Sequence, residues 1–288
     1  MKTFLLAAFA AFVLATSPVR ANTTFDSPEA AMNAFGEAVR SSDEAALKAM
    51  LGAEFRTLIP PVGADAVERF LRAWEEKHAI QDADDKSAHV AVGNDGWTLP
   101  IPIVKGTGGW HFDPRAGADQ MQTRRIGRNE LAAMRAVLAY FDAQREYAQV
   151  DRDGNGVLEY AQKFASAPGK HDGLYWRTGP GEAQSPLGPI YAPSGPGEGY
   201  HGYHFKILKA QGPNAPGGAY DYVIGKRMRG GFALVAWPVK YGETGVMSFM
   251  VNHDGVVYEK NLGAGTDAAA RAMTRFDPDA GWRKVDVQ

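Results

Sequence analysis

Between residues 129 and 150 apolar side chains recur at intervals of three and four. Leu131, Met134, Leu138 and Phe141 form one line, with Val137, Tyr140 and Tyr147 beside it. That period describes one helix of about twenty residues. Two adjacent apolar stripes are too wide for a helix that faces water on most sides, so it has to lie against a sheet or between layers. The same run carries Arg135, Asp142, Arg145 and Glu146. Those charges exclude a membrane-spanning role for it.

The chain after the helix supplies the sheet. Tyr203, Phe205 and Ile207 alternate with His204, Lys206 and Leu208, the period of a strand. Residues 232–237 and 246–251 read as further apolar strands, and Asn252-His253-Asp254-Gly255 turns the chain into Val256-Val257-Tyr258. An Asp-Gly pair there is a strong hairpin signal. Between helix and strands, residues 165–202 hold glycine and proline at close intervals, which predicts a long loop of the kind that is either functional or disordered. Its aromatic residues favour an ordered loop, packed or used for binding.

Upstream, Ser27-Pro28-Glu29 opens a helix with Ala31, Phe35 and Val39 at spacings of four. Ser42-Asp43-Glu44 caps a second helix ending at Gly52, and residues 64–80 predict a third, with Val67, Phe70, Leu71 and Trp74 on one side. Residues 96–105 and 109–112 then bracket a Gly106-Thr107-Gly108 loop, a hairpin signal. The expected class is α+β in two parts: cone-like helices plus a curved hairpin over residues 22–123, and a long helix packed on an antiparallel β-meander over residues 124–288.

The first 21 residues predict an address. Lys2 is a positive start, residues 4–15 are apolar, and Val19-Arg20-Ala21 is a small-residue cleavage pattern, which together read as a cleaved secretory signal. The apolar stretch is too short for a bilayer anchor. With no cysteine there is no lipid attachment point, disulfide or thiolate, and a soluble periplasmic protein is expected, without a transmembrane anchor after cleavage. A formal net charge of −2 argues against binding to nucleic acid.

The sharpest local pattern is Asp151-Arg152-Asp153-Gly154-Asn155-Gly156-Val157-Leu158-Glu159. Oxygen-bearing side chains stand at positions one, three and five, glycine at six and an apolar residue at eight, as at the start of an EF-hand calcium loop. Position twelve is Gln162, which cannot close such a site with a bidentate carboxylate, so Glu159 at position nine or water would complete it. Asp151, Asp153, Asn155, Val157 through its carbonyl, and Glu159 are the candidate calcium ligands. The alternative is an Asx-type turn capping a helix over residues 160–164.

Tyr175, Trp176, Tyr191, Tyr200 and Tyr203 could line a shallow sugar- or peptide-binding surface, because aromatic rings combine large contact area with a polar handle. They could equally pin the loop to the sheet beneath it. His201 and His204 share an H-x-x-H spacing, but on an extended chain they point to opposite faces. No nucleophile elbow, zinc-protease helix motif or phosphate loop is present. Asp172 and Glu182 in the same loop could act as a carboxylate pair for acid–base chemistry on a glycan. Arg124, Arg125 and Arg128 read as structural side chains preceding the long helix.

The hairpin pattern W-x-L-P-I-P…G-G-W-H-F-D resembles the nuclear-transport-factor-two-like fold over about residues 25–115. The long helix with a meander ending in F-x-V-N-H-D-G-V-V resembles the globular head of type IV pilins and pseudopilins, although here the helix is internal and charged. As a whole the chain resembles domain of unknown function 2950, a bacterial envelope family, on R-R-I-G-R-N-E-L at 124–131, G-K-H-D-G-L-Y-W at 169–176, S-P-L-G-P at 185–189, Y-H-G-Y-H-F at 200–205, G-G-F-A-L-V-A-W-P at 230–238 and Y-G-E-T-G-V-M-S-F-M-V-N-H-D-G-V-V-Y at 241–258. That resemblance implies export and supplies no reaction. The expectation is a non-enzymatic binding or scaffold module, calcium-stabilised if the 151–159 loop holds the ion, with an envelope protein or cell-wall component as partner. The alternative is a cell-wall or glycan hydrolase using carboxylates and a histidine near residues 171–204.

Overall fold

A computed structural model describes residues 23–152, 154–179, 181–188 and 199–286. The expected leader, Asp153 and Tyr191 lie outside these residues. The chain divides into two compact units, Met1–Met121 and Gln122–Gln288, and the class is α+β.

In the first unit α1 (Pro28–Arg40) starts where expected: the Ser27 side chain accepts a hydrogen bond from the Ala30 N–H and Pro28 occupies the first turn. Asp43 caps α2 (Glu44–Leu51) in the same way, and Gly52 ends it at φ 88°. A single turn, α3 (Phe55–Leu58), precedes α4 (Ala64–Glu76). The sequence pattern carried α4 on to Ile80, but the backbone becomes extended at Lys77 (φ −164°, ψ 132°). His78 therefore opens a strand, β1 (His78–Asp84), which pairs antiparallel with β2 (Ser87–Val92). The run expected over residues 96–105 is broken as well. Pro100 and Pro102 cannot donate to a ladder, leaving β3 (Trp97–Thr98) and β4 (Ile103–Gly106) as separate pieces on β2. The hairpin from β4 into β5 (Gly109–Phe112) forms as expected, with Gly106 opposite Gly109.

The helices bury one face against this sheet. Phe35 meets Phe70, Trp74 and Phe112 at ring-centroid distances of 6.4, 6.3 and 5.6 Å. Gly36 permits the approach, because a Cβ there would fall 2.4 Å from the Trp74 ring.

The long helix, α5 (Pro114–Tyr147), begins 15 residues earlier than its apolar period indicated. Asp113 explains the start: its Oδ1 accepts hydrogen bonds from the N–H groups of Arg115 and Ala116, and Pro114 tolerates the first position. Arg124, Arg125 and Arg128 thus lie within the helix rather than before it. Its fully buried stripe is Ala133, Val137, Tyr140, Gln144 and Tyr147, while Leu131 is exposed and Met134, Leu138 and Phe141 are half-buried. The buried face is displaced by one residue from the apolar line, since small alanines and a hydrogen-bonded glutamine occupy the contact with the sheet.

That sheet is antiparallel throughout. After β6 (Tyr203–Leu208) the chain makes two short pairs, β7 (Ala210–Gln211) with β8 (Tyr220–Asp221) and β9 (Val223–Ile224) with β10 (Arg227–Met228). It then enters β11 (Ala233–Pro238), β12 (Met247–Asn252) and β13 (Val257–Asn261), with α6 (Thr266–Ala272) before β14 (Arg283–Val285). The spatial order is β14-β13-β12-β11-β6. Every residue of β11 is buried, as expected of a strand covered on both faces. Gly255 at φ 77° makes the expected turn between β12 and β13.

Side chains of α5 also strap the turn before β12. Gln122 Nε2 donates to the carbonyls of Gly242 and Glu243, Asn129 Nδ2 donates to that of Thr244, and Glu130 Oε1 accepts from the N–H groups of Val246 and Met247. Among the described residues no helix is long and apolar enough to cross a membrane.

Candidate functional site

The segment after α5 is built by side chains bonding to backbone. Asp151 Oδ1 accepts from the Asn155 N–H at 3.1 Å and its Oδ2 from the Gly156 N–H at 2.7 Å. Asn155 Oδ1 accepts from the Val157 N–H, and Asn155 Nδ2 donates to Glu159 Oε1 at 3.1 Å. Gly154 and Gly156 take positive φ, 70° and 81°, as so tight a turn requires. Asp151, Asn155 and Glu159 are therefore joined through one hydrogen-bonded turn. Glu159 also lies 3.5 Å from Arg227 Nη1. Among the described residues no three histidines or carboxylates converge in a metal-binding group.

The helix expected over residues 160–164 does not form. Tyr160 bridges to Met228, and the Gln144 carboxamide holds Ala161 from both sides, donating to its carbonyl and accepting from its N–H, each at 2.8 Å. A buried glutamine thus fixes an extended segment where the residue pattern favoured a helix.

The described members of the predicted aromatic set differ in burial. Tyr203 is fully buried, its hydroxyl donating to the Met247 carbonyl, and a Cβ on Gly245 would fall 2.1 Å from that oxygen. Trp176 is buried between His171, 4.4 Å away, and the Arg152 guanidinium, 5.4 Å away, and its indole N–H donates to the Ala183 carbonyl. These two rings pin their segments down. Tyr175 and Tyr200 keep part of their surface.

Tyr200 and His201 form one wall of an open cleft of about 490 Å³, whose opposite wall is the face of α5 bearing Arg128, Leu131, Ala132 and Arg135. Ala132, Ala136 and Ala139 add small side chains to this lining beside the two arginines. Sequence reasoning isolated Tyr200 but took Arg128 as structural; the i, i+7 spacing of Arg128 and Arg135 on one helix face was the available signal.

A second cleft, of about 480 Å³, is more polar. Tyr147, Asn155, Glu159, Gln162, Lys163, Asp172, Lys209, Lys226 and Arg227 line it. Asp172 pairs with Lys163 at 2.5 Å and accepts from the Ala167 N–H. These bonds, that to Lys163 foremost, hold its carboxyl below the usual aspartate range. A carboxyl so held favours its ionised form, and with both oxygens engaged by Lys163 and the Ala167 N–H it is a poor proton donor and a weak proton acceptor. Glu182, the other member of the expected pair, accepts from the Gly179 N–H at 2.9 Å. The cationic side of this cleft was not anticipated, although G-K-R-M-R at 225–229 is a visible basic run at a turn.

With this geometry in view, the match to known proteins is decisive for family only. A family described as a protein of unknown function, DUF2950, matches residues 22–285. The chain belongs to the DUF2950 family. No curated protein and no solved structure matches it.

Proposed function

We propose that this DUF2950 protein is an exported, periplasmic binding module of the cell envelope, and that the α5 cleft walled by Tyr200 and His201 is its contact surface. The carrying observation is that two arginines, three alanines, a tyrosine and a histidine line one open cleft. Such a lining suits a carboxylate-bearing wall peptide or glycan: arginine forks match carboxylates and aromatic faces match sugar or peptide planes. A nuclear-transport-factor-two-like fold over about residues 25–115 and a pilin-like globular head after it are proposed with this reading, on their sequence patterns alone.

The test is co-sedimentation of the mature protein with purified cell-wall sacculi. Retention that falls at least tenfold in Arg135→Ala and Tyr200→Ala, with both variants folded, supports the proposal. Absence of retention, or equal retention of both variants, overturns it.

Calcium in the 151–159 loop is a separate proposal, supported by the hydrogen-bonded cluster of Asp151, Asn155 and Glu159. Binding to the native state must raise the melting temperature. An unchanged midpoint on moving from chelator to millimolar calcium would remove calcium from the reading.

A further inference from the structure

We infer that the polar cleft between residues 155–163 and the β9–β10 turn binds a small dianionic oxyanion, free phosphate or a phosphomonoester. The charge arrangement carries this first. Four cations, Lys163, Lys209, Lys226 and Arg227, share the lining with two carboxylates, Glu159 and Asp172. Lys163 is paired with Asp172 at 2.5 Å. Arg227 Nη1 lies 3.5 Å from Glu159, whose same oxygen already accepts from Asn155, and among the described residues it is buried without a hydrogen-bond acceptor. Among the described residues, the Lys209 ammonium donates to the neutral amide oxygen of Gln162 at 3.2 Å. The lining therefore carries a surplus of two positive charges: Lys209 and Lys226 have no carboxylate partner among the described residues, and Arg227 shares its carboxylate, Glu159, with Asn155. A doubly charged oxyanion balances that surplus and accepts from all three.

The turn gives an independent indication. Ile224 pairs with Arg227, so Gly225 and Lys226 are the two residues of a tight hairpin loop, at φ 57° and 70°. Turns of this type favour glycine or asparagine at both positions, because other side chains are strained at positive φ. A lysine here holds an unfavourable backbone conformation in a turn that lines the cleft. Backbone strain of this kind clusters at ligand clamps. Its neighbour Gln162 fixes the geometry by donating to the Lys226 carbonyl at 2.8 Å.

The strain also makes the test clean. Lys226→Gly removes the ammonium and relaxes the turn, so its melting temperature without ligand should be unchanged or higher than that of the parent. Melting and calorimetric titration of the mature protein with sodium phosphate and with glycerol 3-phosphate, at constant ionic strength, should show saturable stabilisation by both if the phosphoryl group suffices. Stabilisation by the ester alone indicates that the ligand's body contributes. Affinity should fall at least tenfold in Lys226→Gly and in Lys209→Gln, and stay unchanged in Lys240→Ala, a surface lysine paired with Glu243. No saturable response to either compound, or the same response in Lys226→Gly as in the parent, overturns the assignment.

Discussion

The interiors of the two units are built differently. In the first, Phe35, Phe70, Trp74 and Phe112 meet ring to ring, and the described core is apolar throughout. In the second, Gln144, Gln211, Ser248, Asn252, Glu259 and Thr266 are all buried. Most of these polar groups do structural work on the backbone. Gln144 clamps Ala161, and Gln211 Nε2 donates to the carbonyls of Pro216 and Gly218 while its oxygen accepts from the Tyr222 hydroxyl. The difference follows from chain content. Short helices and strands satisfy their own backbone groups, so apolar packing alone can hold them. The long irregular segments of the second unit leave backbone donors and acceptors that buried side chains must meet.

If that contrast is right, the largest single loss comes from the aromatic cluster. Trp74→Ala should destabilise the first unit by about 3–5 kcal/mol, the range for removing a large buried ring. Urea denaturation followed by circular dichroism measures it, and a loss below about 1.5 kcal/mol would mean that the cluster is not the keystone of this unit. The corresponding change in the second unit is Gln144→Ala. It leaves a buried N–H and carbonyl of Ala161 without partners, which costs about 2–4 kcal/mol. Hydrogen exchange at the Ala161 amide should accelerate well before that of β11. Uniform acceleration of both would show that the glutamine supports the whole sheet and not the segment it clamps.

The same contrast separates what could be read from the sequence from what could not. The caps at Ser27 and Asp43, the hairpin over residues 103–112, and β6, β11, β12 and β13 were legible, because each rests on local chemistry: a cap residue, a glycine turn or a period of two. Asp113-Pro114 was an equally local start signal for α5, obscured by the weaker apolar period of the helix before Asn129. The clamp on Ala161 had no local signal. Its glutamine lies 17 residues away, and the intervening pattern favoured a helix. The site was similarly divided. Tyr200 and Glu159 stood out by residue type, whereas the cations facing them come from α5 and from the β9–β10 turn, and only the fold brings them together.

Titration offers a smaller and more specific comparison, since His204 lies in the second unit. Burial, followed by the nearby Arg271 charge, lowers its pKa in the folded state. A histidine depressed on folding contributes stability that is complete above its unfolded pKa of about 6.5 and is lost as pH falls below that value. Stability of the second unit should therefore decline between pH 7.5 and 5.5, and His204→Gln should flatten that slope. Asp172, Asp267 and Asp279 are also lowered, chiefly by bonds to Lys163, Arg271 and Lys260. Their contributions persist to more acidic conditions and disappear only as pH falls below about 3.9 and on through their folded values. An unchanged slope in His204→Gln between pH 7.5 and 5.5 would refute the assignment to His204.

The smallest effect provides the finest discrimination, because each unit carries a helical ion pair of similar outward appearance. Glu37 and Arg40 sit one turn apart on α1 at 3.0 Å, both exposed and bonded to each other. Asp267 and Arg271 sit one turn apart on α6 at 2.9 Å, but Asp267 also accepts from the indole N–H of the buried Trp237. Exposed pairs at this spacing contribute about 0.3 kcal/mol and weaken with salt, so Glu37→Ala should be almost silent in 0.5 M sodium chloride. Asp267→Ala should cost more than Glu37→Ala and keep most of its effect in salt, because it leaves a buried indole N–H without its acceptor. Measuring both substitutions at low and high salt decides the matter. Equal, fully screened losses would show that side-chain ties to buried groups do not distinguish the surface of the second unit from that of the first.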